Sequence, residues 1–402
     1  MHPDIVCSLD IGSSSIRALI AKSHGTSSEE ILGVASTPTR GFSKGVVSNL
    51  SELSDSIEEA IGEAESRAHF RVRRLITNAA GVHIRTFKSH GSIHISDRPT
   101  EIRREDVSRC MDSAKFIAMS LDRDPIHLIP EQFFIDDKLK VEEPLGLFGS
   151  KLDVDLNIIT SLSSILQNIT KAVNLAGYEV EDMVASGAGT SLAIFEKKDF
   201  EGPAVIIDVG KDITEVALFI GGVLRDCFYF PFGGDDLTYA LQDNLRLMFK
   251  DAEELRMKYG IVAKEKESLD ESEIVLPSNI ISKRDISNLL LPKVEEVMQD
   301  VYKKITPFLK HKKKALPIYI VGGLSKMDGF IERVEENISV PVQMGRIVNS
   351  KDFNDIDFAC SLGLARYHAK KYHARKAKYI SNTNTFVGKA ISKAREIIGE
   401  YF

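Results

Sequence analysis

Short apolar runs alternate with amphipathic stretches along this chain, and two of the apolar runs end alike. Ile5-Val6-Cys7-Ser8-Leu9 leads into Asp10-Ile11-Gly12-Ser13-Ser14, and Ala204-Val205-Ile206-Ile207 leads into Asp208-Val209-Gly210-Lys211-Asp212. Each run reads as a buried strand. An Asp closes it, and a Gly two residues later permits a tight turn with exposed backbone amides. Such a turn can cradle phosphate oxygens on N–H groups. The Asp beside it can hold Mg²⁺ through water, because that ion keeps much of its hydration shell. One Asp-x-Gly carries little, since both are ordinary turn residues. Two copies in matching strands point to a duplicated domain gripping one nucleotide from both sides. A third run, Pro317 to Val321, ends in Gly322-Gly323, where glycine lets the backbone approach a flat ligand such as adenine or ribose.

The pattern between these landmarks predicts further elements. Ser15 to Lys22 alternates as a second strand would, Ile31 to Ala35 reads as a third, and Arg74 to Ala79 as another. Leu50, Leu53, Ile57, Ile61, Ala64 and Ala68 recur at helical spacing, as do Ile286, Leu290, Val294, Val297, Val301 and Ile305. Between Gly81 and Thr160 the reading is strand (Val82 to Phe87), helix (Arg104 to Met119), strand (Ile126 to Ile135) and strand (Asp153 to Thr160), a small α+β unit within the first half.

Composition narrows the class. A chain of 402 residues exceeds one core and suggests two large domains or four subdomains. With 43% hydrophobic and 27% charged residues it is of ordinary globular make-up. A net charge of −6 gives no reason to expect nucleic acid as a partner. Cys7, Cys110, Cys227 and Cys360 are scattered, make no metal spacing, and read as reduced core thiols of a cytosolic protein. The first strand begins at once, without a signal peptide, and no apolar run approaches the ~20 residues of a membrane span.

The C-terminal segment carries a separate signal. No acidic residue lies between Phe358 and Arg395, and Tyr379 to Thr385 is polar, reading as linker. At about 100° per residue, Phe386, Val387, Ala390, Ile391, Ala394, Ile397, Ile398, Tyr401 and Phe402 fall on one half of a helical wheel, and Lys389, Lys393, Arg395, Glu396 and Glu400 on the other. An apolar face with aromatic ends behind a basic linker suits a lipid headgroup interface, with Val387, Ile391, Ile398 and Phe402 pointing inward. Such a helix can also dock on its own globular body.

Taken in order, the two Asp-x-Gly turns and the Gly pair resemble the actin, sugar-kinase and chaperone ATPase superfamily. The segments Arg104-Glu105-Asp106-Val107, His127-Leu128-Ile129-Pro130-Glu131-Gln132-Phe133, Pro144-Leu145-Gly146 and Leu152-Asp153-Val154-Asp155 closely resemble the inserted 1C subdomain of FtsA, the bacterial actin-like cell-division protein. Pro231-Phe232-Gly233-Gly234-Asp235-Asp236 and Ala252-Glu253-Glu254-Leu255-Arg256-Met257-Lys258-Tyr259-Gly260 resemble FtsA as well. The resemblance implies an α/β fold: an actin-like duplicated ATPase fold with an α+β, 1C-type insertion in domain one. Its subdomains would be 1A (1–80 and 161–200), 1C (81–160), 2A (201–240), 2B (241–310), then 2A with a return to 1A (311–367), a basic linker (368–385) and an amphipathic helix (386–402). It also implies ATP and Mg²⁺ as cofactors and assembly with itself into actin-like filaments. The implied partners are the C-terminal peptide of the tubulin homologue FtsZ, bound through 2B, an anionic membrane and other division proteins. The implied place is the cytoplasmic face of the inner membrane at the division site.

On that resemblance Asp10 and Asp208 are the Mg²⁺-side carboxylates. Gly12, Ser13, Ser14 and Gly210 supply backbone amides to the phosphates, Gly233 and Gly234 belong to the cofactor site, Gly322 and Gly323 flank the adenosine, and Glu254 and Lys258 contact the nucleoside. The second turn departs from the family's Asp-Ile-Gly-x-Gly-Thr-Thr-Asp, with Asp212 for the second Gly and Ile213 for the first Thr. A carboxylate there would repel phosphates, partly offset by Lys211. Ser186 stands where relatives carry a Gln or Glu that orients the attacking water, and is too short to do so. Slow or absent hydrolysis is therefore expected, with Asp208 the nearest to a catalytic candidate. Two other readings remain on the same fold: a pilus-assembly scaffold, and a sugar or acid kinase.

Overall fold

The computed structural model describes residues 5–24, 29–118, 120–262, 274–276, 280–310, 316–350 and 352–381. Its two lobes are each built on a five-stranded sheet of the same topology. In the first lobe Ile5–Ile11, Ser15–Ser23 and Glu29–Pro38 form an antiparallel meander, and Arg74–Ala79 and Glu179–Ala185 add in parallel beside Ile5–Ile11. In the second, Pro203–Val209, Thr214–Ile220 and Val223–Phe230 form the meander, and Ile318–Val321 and Val342–Met344 add in parallel beside Pro203–Val209. Leu9, Ile11, Ile16 and Ile20 bury against the helix Leu50–Ala68 through Leu53, Ile57 and Ile61. That helix starts where the Asn49 side chain accepts from the Ser51 and Glu52 N–H groups, meeting two donors that the first turn leaves unpaired. In the second lobe Ile207, Val209, Val216 and Leu218 pack on the long helix Lys283–Lys310 through Ile286, Leu290 and Val294.

A shared core joins the lobes. Val6, Leu19, Ile206, Ala217, Phe219 and Leu362 belong to one buried cluster running through the helices Ser186–Ile194 and Ala359–Ser381. These helices cross closely: a Cβ at Gly363 would lie 1.8 Å from the Gly189 carbonyl oxygen, so only glycine fits. All four cysteines are buried and free.

Between the strands Arg74–Ala79 and Glu179–Ala185 lies the insertion, a four-stranded sheet ordered Leu139–Val141, Arg123–Ile135, Lys151–Leu162, Arg85–His94, covered by the helix Arg104–Ala118. Its first strand begins later than its alternation suggested and runs longer. Ile84 N–H donates to the Gly81 carbonyl at 3.0 Å, so 81–84 is a turn, and pairing with Lys151–Thr160 continues to His94. At the other end, the stretch expected as linker from 368 is helical to Ser381. It holds no Gly or Pro after Gly363 and is rich in Ala, Lys and Arg, which favour helix. The amphipathic segment 386–402 lies outside the described residues, as do Met119 and parts of 241–310. Among the described residues no helix is long and apolar enough to cross a membrane.

His127 pins the insertion to this frame. Its Nε2 accepts from the Ala185 N–H at 3.0 Å, and its ring meets Tyr367 edge-on at 6.4 Å. Burial, opposed in part by Asp182 and aided by Lys371, lowers its pKa to about 4, so the ring is neutral. Above pH 6.5 neither folded nor unfolded chain carries this proton. Between 6.5 and 4 only the unfolded chain takes it up, and stability falls with pH by up to about 3 kcal/mol. His127→Gln keeps an acceptor for Ala185 without the proton affinity. Thermal midpoints at pH 7.5 and 5 should diverge in favour of the variant at the lower pH; parallel midpoints would refute the assignment.

Candidate functional site

The two matching strands end face to face across the interlobe cleft. On one side Asp10 closes the first strand, and Gly12 N–H donates to the Ser15 carbonyl at 3.2 Å in the turn that follows. On the other, Asp208 precedes a turn closed by Gly210 N–H to the Ile213 carbonyl at 3.0 Å. Gly322, at φ +88°, brings the third turn against the second: a Cβ there would fall 2.3 Å from Asp208 Oδ1. Together these turns wall a cavity of about 590 Å³, within the size range of small-molecule sites.

Most residues expected at a nucleotide site lie on this wall: Asp10, Gly12, Ser13, Ser14, Asp208, Gly210, Gly234, Glu254, Gly322 and Gly323. Two are not on it. Gly233 lies behind the second turn, where a Cβ would meet the Lys211 carbonyl carbon at 2.4 Å, so it supports the loop from beneath. Lys258 places its ammonium over the Tyr259 ring at 5.0 Å, and Glu253, Arg256 and Met257 line the wall instead.

The cleft is acidic and short of countercharge. Asp10 is raised by burial, partly offset by Arg17, whose Nη1 lies 3.7 Å from Oδ2. Asp208 is pushed up to about 6, by desolvation and then by Asp10. Glu215 rises to about 8, by desolvation and then by Asp208. A protonated carboxyl at neutral pH is what crowded, dehydrated acids produce when no cation is supplied. The residues therefore fit a divalent cation. Among the described residues no three His, Cys, Asp or Glu side chains converge as direct metal ligands.

Glu215 and Asn78 complete the site, and sequence reasoning assigned a role to neither. Glu215 Oε1 accepts from Gly187 N–H and from the Tyr229 hydroxyl, each at 3.0 Å. Asn78 Nδ2 donates to Asp10 Oδ1 at 2.7 Å and to Ser186 Oγ at 2.9 Å, while its own oxygen accepts from Ile11 N–H at 2.8 Å. The available signal was polar residues inside apolar strands, Thr77-Asn78 and Thr214-Glu215. Ser186 is on the wall as expected. Asp212 also has partners that sequence reasoning did not name: Oδ2 accepts from Ser43 Oγ and Lys44 N–H of the other lobe.

Comparison with known proteins converges on one family. A model described as "SHS2 domain inserted in FTSA" matches residues 81–160, and one described as "Cell division protein FtsA" matches 205–363. The chain is 29% identical over 377 residues to the cell division protein FtsA of Pseudomonas aeruginosa, covering 91% of this chain and 90% of that protein. To that of Borreliella burgdorferi it is 27% identical over 405 residues, 98% of each. Among solved structures it resembles a PilM-PilN type IV pilus biogenesis complex (TM-score 0.64, 16% identity, 90% of this chain and 98% of that one). It also resembles MreB 5 of Spiroplasma citri bound to AMPPNP (TM-score 0.51, 11% identity, 96% and 100%). At these identities the structural likenesses speak to fold alone, and that fold is actin-like with an SHS2 insertion. The chain belongs to the FtsA family of cell-division proteins.

Proposed function

We propose that this protein binds Mg-ATP between its lobes, assembles head to tail into filaments, and holds FtsZ polymers against the anionic inner face of the cytoplasmic membrane. The observation that carries the reading is the cleft, where Asp-bearing turns from two lobes of like topology wall one cavity in a chain of the FtsA family. Asp10 and Asp208 hold the metal through water. The turns at Gly12, Ser13, Ser14, Gly210 and Gly234 bring backbone close to the phosphates, and Gly322, Gly323 and Glu254 border the nucleoside. Bound Mg-ATP would supply the positive charge these acids lack and the anion the turns are shaped for. Hydrolysis is slow on this reading: Ser186 is short, and Glu215 already holds its proton at neutral pH in the ligand-free cleft. Subdomain 2B (241–310) takes the FtsZ C-terminal peptide, the insertion (81–160) makes a longitudinal filament contact, and 386–402 lies on the lipid. Heterologous contacts of this kind give open filaments when rotation does not close a ring.

Co-sedimentation with anionic vesicles tests the tether. Full-length FtsZ should pellet with the vesicles only when this protein is present, and FtsZ without its C-terminal peptide should stay in the supernatant. Equal recovery of both forms of FtsZ would remove the tether from the reading.

A further inference from the structure

The strand pair Phe42–Ser43 and Val46–Val47 belongs to the first lobe, yet the turn between them reaches the second. Ser43 Oγ donates to Asp212 Oδ2 at 3.0 Å, and Lys44 N–H donates to the same oxygen at 2.7 Å. Asp212 is 5% exposed, borders the cleft, and its Oδ1 is buried without a hydrogen-bond partner. Both sides of this contact are held by their own lobes. Gly234 N–H donates to the Gly210 carbonyl at 3.0 Å and Asp235 N–H to that of Lys211 at 2.7 Å, stapling the second turn to the helix Gly234–Leu245. On the other side, His83 Nε2 lies 3.1 Å from the Gly45 carbonyl oxygen, and His83 Nδ1 lies 2.8 Å from Ser161 Oγ at the root of the insertion. Lys44 itself is at φ +52°, a conformation ordinary side chains adopt only when their surroundings impose it. The single carboxylate of Asp212 therefore joins two prefixed parts across the cleft, where the family pattern has a glycine with no side chain to do so.

We propose that Asp212 is an interlobe clasp, and that by gripping the 42–47 hairpin it keeps the cleft in the closed arrangement to which Mg-ATP binds. This rests on the nucleotide reading above. A ligand held from both lobes binds only the closed fraction of molecules, so its apparent affinity falls by whatever fraction opens. Two donors on one buried carboxylate oxygen make a charge-assisted contact of the stronger kind. The same carboxylate could instead act by repelling phosphates, and the two roles predict opposite signs.

Isothermal titration of Mg-ATP into the full chain separates them. For a clasp, Asp212→Gly weakens binding about tenfold or more, and Ser43→Ala, which leaves every charge in place, weakens it several-fold. Asp212→Asn, whose side-chain oxygen still accepts from Ser43 and Lys44, stays between wild type and Asp212→Gly. Tighter binding in both Asp212 variants with no change in Ser43→Ala overturns the clasp in favour of repulsion. Hydrogen exchange of the Lys44 amide reads the contact without nucleotide. It should be slow in wild type and at least about tenfold faster in Asp212→Gly, with strand amides such as Ile207 unchanged as the control for folding. A wild type with no affinity for Mg-ATP overturns the nucleotide reading and the clasp's role with it. A wild type that binds Mg-ATP while its Lys44 amide exchanges freely overturns the clasp alone.

Discussion

Asp208→Ala and Asp208→Asn are both expected to weaken Mg-ATP binding by roughly 10–100-fold, the loss seen when a group orienting a metal's ligands is removed. Asp208 is partly buried on the cleft wall, and the third turn packs so closely on it that no side chain fits at Gly322. Its position is set before any ligand arrives, so its charge is what the substitutions test. The asparagine keeps the shape and loses the charge, and should fail as the alanine does. Without nucleotide the sign reverses. Asp208 is then a dehydrated acid beside Asp10 with Arg17 as the near cation, and removing its charge relieves a desolvation cost and a repulsion that Arg17 offsets only in part. Asp208→Asn should raise the thermal midpoint of the ligand-free protein while lowering its affinity. A group kept at a cost in stability is the mark of a working site. Titration calorimetry and thermal denaturation of the same samples decide it: unchanged affinity removes Asp208 from the site, and a lowered ligand-free midpoint makes it structural.

The strand ends were legible because they are local. An apolar run, an Asp and a Gly two residues on fix a strand and its turn within a dozen residues, and Asp10–Gly12 and Asp208–Gly210 fold as that spacing requires. The duplication was legible for the same reason, since each copy carries its own strand and turn. The helices Leu50–Ala68 and Lys283–Lys310 follow from apolar residues at helical spacing, and the second tolerates Pro292 and Pro307 inside it.

Part of what escaped depends on partners far along the chain. The contacts of Asp212 cannot be read from Lys211 and Ile213, because its donors, Ser43 and Lys44, lie some 170 residues away. Glu215 lies in a strand that is apolar on both sides; Tyr229 is its partner on the next strand of the sheet, but Gly187 comes from a helix 28 residues back along the chain. Lys258 was assigned from its place in a motif, but Tyr259 beside it offers its ammonium an aromatic face. The resemblance implies a linker from 368, whereas the Ala, Lys and Arg content of 368–381 favours the helix observed there.

Ile398→Glu is expected to abolish flotation of the protein with anionic vesicles. Ile398 lies near the middle of the apolar half of the 386–402 segment, flanked on the wheel by Ile391, Ala394 and Phe402. A carboxylate there must be dehydrated for the face to enter the acyl boundary, and an unpaired charge does not tolerate that. A helix this short would be marginal in water, so on this reading folding and binding are one event, and weakening either weakens both. The preceding stretch contributes differently. Lys370 lies over the Phe200 ring and Lys371 pairs with Asp182 at 2.6 Å, so the sequence leaves Arg375, Lys376 and Lys378 as the cations for a lipid surface. Each is worth about 1 kcal/mol close to an anionic leaflet and less in high salt. Salt should thus reduce flotation of the wild type in part, while Ile398→Glu removes it at any salt. Truncation after Ser381 leaves the described helix whole and should match Ile398→Glu, because the cations alone do not replace the apolar face. If wild type and Ile398→Glu float equally, the segment docks on the globular body instead, and the tether must reach the membrane by another surface.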